Sequence, residues 1–73
     1  MIEVRLFASL RQDREKTQFF EASGFESAAG LLAALGIGKA DVAILLINGR
    51  HSKPEDPVKD GDIIALFPPV GGG

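Results

Sequence analysis

The apolar residues of this chain fall in short segments, each ended by residues that favour turns. The longest uninterrupted apolar run covers residues 42–47, whereas a membrane-spanning helix needs about 20 residues. A chain of 73 residues can form only one domain, and so small a domain buries a thin core. We therefore expect a single small domain that does not cross a membrane.

Composition narrows the classes of function. The chain has no cysteine, which excludes a disulfide framework, a thiolate metal site and a cysteine nucleophile. Its net charge of −2 argues against a non-specific nucleic-acid binder, which normally carries a basic excess. Glu3 and Arg5 interrupt the first apolar residues, so a signal peptide is not expected. The absence of cysteine suits a reducing cytoplasm, which is the location that we predict. The small size favours a binding module or carrier over an independent enzyme.

The first part of the chain predicts a β-hairpin followed by a helix. Ile2, Val4 and Leu6 alternate with polar residues, as expected for a strand with one face in a core. Residues 9–16 are charged and predict a loop, and residues 17–21 predict the second strand. Residues 28–35 have apolar side chains at helical spacing, with Ser27 as the expected N-cap and Gly36 as the expected end.

The second part predicts three more strands. Residues 42–47 form an apolar strand, Asn48 and Gly49 give the strongest short hairpin signal, and residues 50–53 provide the return strand. Residues 63–67 form the last strand, which Pro68 and Pro69 end because proline cannot donate to a ladder. The order β-β-α-β-β-β predicts an α+β domain with a mixed sheet and one helix packed across one face.

Residues that could carry chemistry are few. His51 is the only histidine and has no neighbour to complete a metal site, so an exposed turn residue is expected. Gly38 and Lys39 only faintly match a phosphate-binding loop, because Ala33 and Ala40 stand where glycine and Ser or Thr are required. No catalytic triad can be assembled. We therefore expect neither catalytic residues nor a metal site in this chain.

The C-terminus carries a distinctive feature. Gly71, Gly72 and Gly73 end the sequence, although consecutive glycines cost much entropy to order and bury nothing. Residues 68–73 could reach about 20 Å when extended, and the two prolines stiffen the base of this segment. A slim arm that delivers a carboxylate into another protein's site is one interpretation, and a frayed terminus is the other. We accordingly predict a domain over residues 1–67 and a flexible tail over residues 68–73.

Several motifs in the chain match a known family. Residues 59–73, which contain Asp-Gly-Asp, an apolar strand, Phe-Pro-Pro-Val and the terminal glycines, resemble the C-terminal part of the ubiquitin-like sulfur carriers of the MoaD/ThiS family. Leu6, Phe7, Leu10 and Arg11 are similar to the family's first strand and loop. The likeness covers essentially the whole chain and is greatest to the small subunit of molybdopterin synthase. The resemblance implies the β-grasp, or ubiquitin-like, fold.

The resemblance also implies a mechanism and its partners. An ATP-dependent, ubiquitin-activating-type adenylyltransferase would adenylate the carboxylate of Gly73, and a sulfur donor would convert the adenylate to a thiocarboxylate. The tail, with Gly71 and Gly72 providing slimness, would then enter the large subunit of molybdopterin synthase for molybdenum cofactor biosynthesis. The carrier itself would bind no cofactor. Because Gly71 stands where the molybdopterin subunits usually have Ser, Thr or Ala, a carrier for thiazole synthase in thiamine biosynthesis remains an alternative.

Strand alternation predicts a surface for these partners. If Ile64 and Leu66 lie in the core, then Phe7 and Phe67 lie on the open face of the sheet, near the root of the tail. With Pro68, Pro69 and Val70 they form the expected partner-binding residues. The alternative is that the two rings pack under a loop. Two other functions stay open, a protein modifier joined through Gly73 and an interaction module with an inert tail.

Overall fold

The computed structural model describes residues 1–69 and contains five strands and one α-helix. Short 3-10 turns at Ala8–Arg11, Ala22–Gly24 and Lys39–Asp41 connect them. The strands and the helix follow the predicted order, as β1 Ile2–Leu6, β2 Thr17–Phe20, α1 Ala28–Leu35, β3 Ile44–Ile47, β4 Arg50–His51 and β5 Ile63–Phe67.

The strands form one mixed sheet in the order β2-β1-β5-β3-β4. The first and last strands, β1 and β5, are parallel neighbours at the centre, and the other pairs are antiparallel. One helix packed on such a sheet is the β-grasp arrangement, so the predicted α+β fold class is confirmed. Because β5 is central, the chain leaves the middle of the sheet at Phe67.

The core lies between the sheet and α1. Ile2, Val4 and Leu6 are fully buried, as are Ile64 and Leu66 to within 1%, which confirms the predicted core faces of β1 and β5. The helix contributes Ala28, Leu31 and Leu32, and Leu35 packs at its edge. Burial of apolar surface stabilises this contact by about 25 cal/mol for each Å² removed from water. This packing holds a helix of eight residues, which would be only marginally stable in isolation.

The helix begins after Ser27 as predicted, but the predicted side-chain hydrogen bond of Ser27 is wrong. Ser27 stands at the N-cap position, but its side chain accepts no cap hydrogen bond. Instead, the carbonyl of Asp56 accepts from the Ala28 amide at 3.1 Å, and the carbonyl of Pro54 accepts from the Ala29 amide at 2.7 Å. Carbonyls of a distant loop therefore satisfy amides that a side-chain cap would otherwise serve.

Both predicted turns that need left-handed backbone are confirmed. Gly36 ends α1 with φ of 74°, a conformation that glycine adopts without penalty. Asn48 and Gly49 both have positive φ, at 53° and 81°, as a two-residue type I′ hairpin between β3 and β4 requires.

The sequence analysis predicted three strands that are longer than those in the structure. β2 ends at Phe20 because Glu21 starts a 3-10 turn. β3 starts at Ile44, after a turn in which the Val42 amide donates to the carbonyl of Lys39. β4 ends at His51 because the Lys53 amide donates to the side chain of Asp56 and begins the next turn.

The predicted division at residues 67 and 68 stays a prediction. The last strand does end at Phe67, but residues 70–73 lie outside the described part of the chain. Among residues 1–69, no helix has the length and apolar character that a membrane crossing requires.

Candidate functional site

The predicted site lies where β5 ends and the C-terminal segment begins. Pro68 is half-buried there and Pro69 is exposed. The other predicted residues of the segment, Val70, Gly71, Gly72 and Gly73, lie outside the described residues. The site is therefore built from the parts of β1, β3 and β5 that surround Phe67.

Phe7 and Phe67 meet at this point as a stacked aromatic pair. Their ring centroids are 4.3 Å apart and the rings are 12° from parallel. The Phe7 amide donates to the carbonyl of Leu66 at 3.1 Å, which extends the β1–β5 pairing by one residue and fixes where the ring stands. The structure thus brings together the two rings that strand alternation placed on the open face.

The two rings are more enclosed than an open patch. Both residues are half-buried: the two rings cover each other, and a guanidinium group from the loop after β1 lies over Phe7. They lie on the open face, as predicted, and a loop residue covers Phe7, as the alternative interpretation proposed. Each interpretation is therefore partly right.

Arg11 is the loop residue at this site; the sequence analysis named it in the family resemblance but did not place it among the partner-binding residues. Its guanidinium carbon lies 5.4 Å from the centroid of the Phe7 ring, within the range of a cation–π interaction. Its Nε donates to the carbonyl of Leu6 at 2.8 Å. The mixed charges of residues 11–16 indicated only a solvated loop, since no local pattern shows which cation folds back onto an aromatic ring.

The open face continues from the aromatic pair with further apolar side chains. Ile44 lies directly opposite Phe67 in the β3–β5 pairing and is 39% exposed. Leu46 and Ala65 form the next pair along the two strands and are half-buried. The aromatic pair is thus the end of an apolar band that runs along the central strands on the side opposite α1.

Two other arginines near this end of the sheet, Arg5 and Arg14, are engaged within the chain. On β1, Arg5 donates from Nε to the carboxylate of Glu3, so these two charges neutralise each other on the open face. Arg14 donates to the carbonyls of Leu35, Gly36 and Leu10 and ties the loop to the C-terminal end of α1. These bonds hold the loop that carries Arg11 in place.

Other candidate groups lie away from this point. His51 is exposed on β4, as predicted. An open groove of about 380 Å³ is lined by residues that include Ile47, Asn48 and Arg50, at the opposite end of the sheet from Phe67. Within residues 1–69, no three His, Asp or Glu side chains are grouped closely enough to hold a metal ion.

The chemistry of the site is that of binding. Aromatic rings, aliphatic side chains and a guanidinium group recognise a partner by burial, stacking and hydrogen bonding. The half-buried pair at the root of the C-terminal segment therefore has the chemistry of a contact with another protein.

Solved structures resemble this fold over nearly its full length. Small archaeal modifier protein 1 of Haloferax volcanii is 26% identical, with a TM-score of 0.74 over 94% of this chain and 97% of that chain. The H. volcanii protein HVO 2177 is 25% identical, with a TM-score of 0.76 over 99% and 85%. A chain from the complex of subunits 1 and 2 of molybdopterin-converting factor from Helicobacter pylori 26695 is 29% identical, with a TM-score of 0.66 over 99% and 97%.

The family comparison gives the assignment. No curated protein was found to match. The family model described as the ThiS family matches residues 4–73. The match includes the helix, the Phe7–Phe67 pair, the terminal glycines and every strand apart from Ile2 and Glu3 at the start of β1. The chain therefore belongs to the ThiS family of ubiquitin-like sulfur carriers.

Proposed function

We propose that this chain carries sulfur as a thiocarboxylate on Gly73 and serves as the small subunit of molybdopterin synthase. The observation that carries the proposal is the family match over residues 4–73, which extends through the terminal glycine. The 29% identity to a chain from a complex of the two molybdopterin-converting factor subunits supports the choice of pathway. Molybdenum cofactor biosynthesis is thus the proposed setting.

The chemistry requires activation of a poor electrophile. The carboxylate oxygen of Gly73 attacks the α-phosphate of ATP, which forms an acyl-adenylate and releases pyrophosphate. A sulfur donor then attacks the acyl carbon and AMP leaves with the electrons of the broken C–O bond. When the attacking species is sulfide (HS⁻), loss of AMP and one proton leaves the C-terminus as a thiocarboxylate; when it is a persulfide, a thiol must reduce the S–S bond of the acyl disulfide to release the donor. The thiocarboxylate sulfur then displaces an oxygen leaving group from a carbon of a pterin precursor, and water hydrolyses the resulting thioester, which leaves a thiol on the precursor and restores the carboxylate of Gly73.

The proposed roles of the partners follow from what the chain offers. A ubiquitin-activating-type adenylyltransferase binds the ATP, and the large subunit of the synthase supplies the groups that act on the precursor. The chain contributes the reactive carboxylate and the docking residues Phe7, Phe67, Pro68, Pro69 and Val70. It thus acts as a carrier and not as an enzyme in its own right.

Gly71 and Gly72 have a steric role in this proposal. A narrow channel can close on both sides of a backbone that has no Cβ atoms. We expect Gly72→Val to reduce adenylation and sulfur transfer severely while leaving the folded domain unchanged. Equal rates for the variant and the unchanged chain would contradict the threading role.

The intact mass of the chain tests the carrier function. The purified protein is incubated with ATP, a sulfur source and the activating enzyme, and its mass is measured. We expect an increase equal to the exchange of one oxygen for sulfur, which is lost when Gly73 is deleted. No increase, with the enzyme shown to be active on another carrier, would contradict the proposal.

A second function has support from one comparison. The 26% identity to small archaeal modifier protein 1 favours a protein modifier, in which the activated Gly73 is joined to lysine amines of other proteins. An isopeptide-linked ladder in cell extracts, lost on deletion of Gly73, would favour this function. A ladder and a thiocarboxylate can also coexist, because both use the same adenylate.

The choice of sulfur pathway needs its own test. The name of the matching family and the glycine at position 71 favour the thiamine pathway, whereas the H. pylori relative favours molybdopterin. Deletion of the gene followed by feeding separates them. Growth restored by thiamine would identify thiazole synthase as the partner, and loss of molybdoenzyme activity that thiamine does not restore would identify molybdopterin synthase.

A further inference from the structure

Three arginines lie between residues 1 and 16, and their guanidinium groups have different partners. Arg5 is paired with Glu3. Arg14 uses Nε and both terminal nitrogens on backbone carbonyls. Arg11 uses only Nε, on the carbonyl of Leu6, and no carboxylate of residues 1–69 lies within ion-pair distance of it. Its two terminal nitrogens are therefore open for another acceptor.

The position of the Arg11 guanidinium is fixed at both sides. The Nε hydrogen bond of 2.8 Å holds it at the end of β1, and the Phe7 ring lies beneath it at 5.4 Å. That ring is itself stacked on Phe67. A side chain held in this way loses less conformational entropy on binding, because much of its freedom is already lost in the free protein.

The planar fork of a guanidinium matches an oxygen pair. Two parallel N–H groups bind a carboxylate or a phosphate with two hydrogen bonds, which gives both energy and orientation. The phosphate of the Gly73 adenylate is not the acceptor, since an extended segment from Pro68 to Gly73 places it about 20 Å from the segment's root. The acceptor must therefore belong to the surface of the protein that seats the root.

We propose that Arg11 binds an aspartate or glutamate carboxylate of the large synthase subunit, beside an apolar pocket that receives the Phe7–Phe67 pair. This inference rests on the proposed function, because it takes that subunit as the partner. The apolar band alone, with Ile44 and Leu46, gives burial without a fixed orientation. The ion pair between Arg11 and that carboxylate fixes the rotation of the carrier about the axis of its tail. The tail is thereby directed into the channel of the large subunit.

Calorimetric titration with the purified large subunit of the same organism tests this inference. We expect Arg11→Gln to weaken binding about tenfold, or about 1.4 kcal/mol. Arg11→Lys keeps the charge but loses the fork, so we expect a loss of about fivefold. Arg50→Gln is the matched control, since it removes the same charge at the opposite end of the sheet, and we expect a change of less than about twofold.

The salt dependence of the affinity distinguishes two causes of weaker binding by Arg11→Gln: loss of the ion pair and displacement of the Phe7 ring. Binding of the unchanged chain should weaken as NaCl is raised, and Arg11→Gln should flatten that dependence. A loss of affinity caused by movement of Phe7 would leave the salt dependence as it was, and the aromatic NMR signals of Phe7 and Phe67 would report the movement.

Each outcome has a defined meaning. Equal affinities for the Arg11→Gln and Arg50→Gln variants, or an unchanged salt dependence in Arg11→Gln, would overturn the inference and leave the proposed function intact. If the unchanged chain does not bind the large subunit at all, the proposed function is contradicted and the inference is overturned with it. If Arg11→Gln does not fold, a loss of less than about twofold in Arg11→Lys overturns the inference.

Discussion

Asp62 is a carboxylate that is only 4% exposed, at the start of the central strand β5. Its Oδ1 accepts from the Asn48 side-chain amide at 2.9 Å, and its Oδ2 accepts from the Lys59 backbone amide at 2.9 Å. The Asn48 side-chain oxygen in turn accepts from the amide of Ile63 at 2.9 Å. One buried carboxylate thus fixes the β3–β4 hairpin to the turn that precedes β5.

We expect Asp62→Ala to lower the free energy of unfolding by about 1–2 kcal/mol, because it leaves two part-buried donors without an acceptor. Asp60→Ala is the control. Asp60 is exposed, and the amino group of Met1 donates to its carboxylate and lowers its pKa, so we expect little change. Urea unfolding measures both, and equal losses would contradict a special role for the buried carboxylate.

The sequence predicted single residues correctly where the backbone conformation itself restricts the residue type. Asn48, Gly49 and Gly36 have backbone conformations that few residues adopt, and so their turns were found. The link between Asn48 and Asp62 spans 14 positions, and Arg11 meets Phe7 only because the loop folds back. Neither contact can be predicted from the hydrophobic periodicity or the residue spacing of the sequence, so the structure was needed to find them.

Among the secondary-structure elements, α1 shows how packing can overrule helix propensity. Gly30 lies inside the helix, where glycine costs about 1 kcal/mol relative to alanine. A Cβ added there would lie 3.1 Å from Cδ1 of Phe25. The Phe25 ring meets Phe20 edge to face, with centroids 5.4 Å apart, and is therefore held on its other side. Glycine makes room for a ring that closes the edge of the core.

We expect Gly30→Ala to gain clearly less than the ~1 kcal/mol that helix propensity alone would provide. Ala34→Gly is the matched control, since Ala34 is exposed in the same helix and should lose about 1 kcal/mol. Thermal unfolding of both variants gives the comparison. Stabilisation by the full propensity difference in Gly30→Ala would show that the Phe25 ring moves freely.

Sheet pairing was predicted in its pattern but not in its limits. Alternation placed Ile64 and Leu66 in the core and Phe67 on the open face, and each assignment is confirmed. The predicted ends of β2 and β4 and the predicted start of β3 were wrong. A turn begins where a backbone amide has a hydrogen-bond acceptor within the turn that is nearer than the one on the neighbouring strand. Such competition between neighbours is decided by geometry that the side-chain pattern does not encode.

The stacked pair joins the end of β1 to the end of β5, and its strength can be measured. We expect a double-mutant cycle of Phe7→Leu and Phe67→Leu to give a coupling of about 0.5–1.5 kcal/mol in the free energy of unfolding. The control cycle combines Phe19→Leu with Phe67→Leu, because Phe19 is 59% exposed on the edge strand. The stacking claim fails if both cycles give the same coupling.

In the molecule as a whole, the parts that hold the fold and the parts proposed for function are separate. The buried residues lie between α1 and one face of the sheet, whereas the Phe7–Phe67 pair and Ile44 lie on the other face. The part-buried Asn48–Asp62 link is at the end of β5 farthest from the C-terminal segment.

This separation predicts the effect of removing the last four residues. A chain that ends at Pro69 keeps every described strand, the aromatic pair and Pro68. We expect its free energy of unfolding to stay within about 0.5 kcal/mol of that of the full chain, as for other changes outside a core. The shortened chain should form no adenylate, since the reactive carboxylate would lie about 13 Å short of its place in the activating enzyme.

Ile64→Val in the full chain is the matched control, because its side chain is 1% exposed. It should lose about 0.5–1.5 kcal/mol and still accept sulfur at Gly73 below its unfolding temperature. The two variants should thus have opposite defects. The shortened chain keeps its stability and loses adenylation, whereas Ile64→Val loses stability and keeps adenylation. A shortened chain that unfolds as readily as Ile64→Val would show that residues 70–73 contribute to the fold, and the boundary between domain and tail would have to be moved toward the C-terminus.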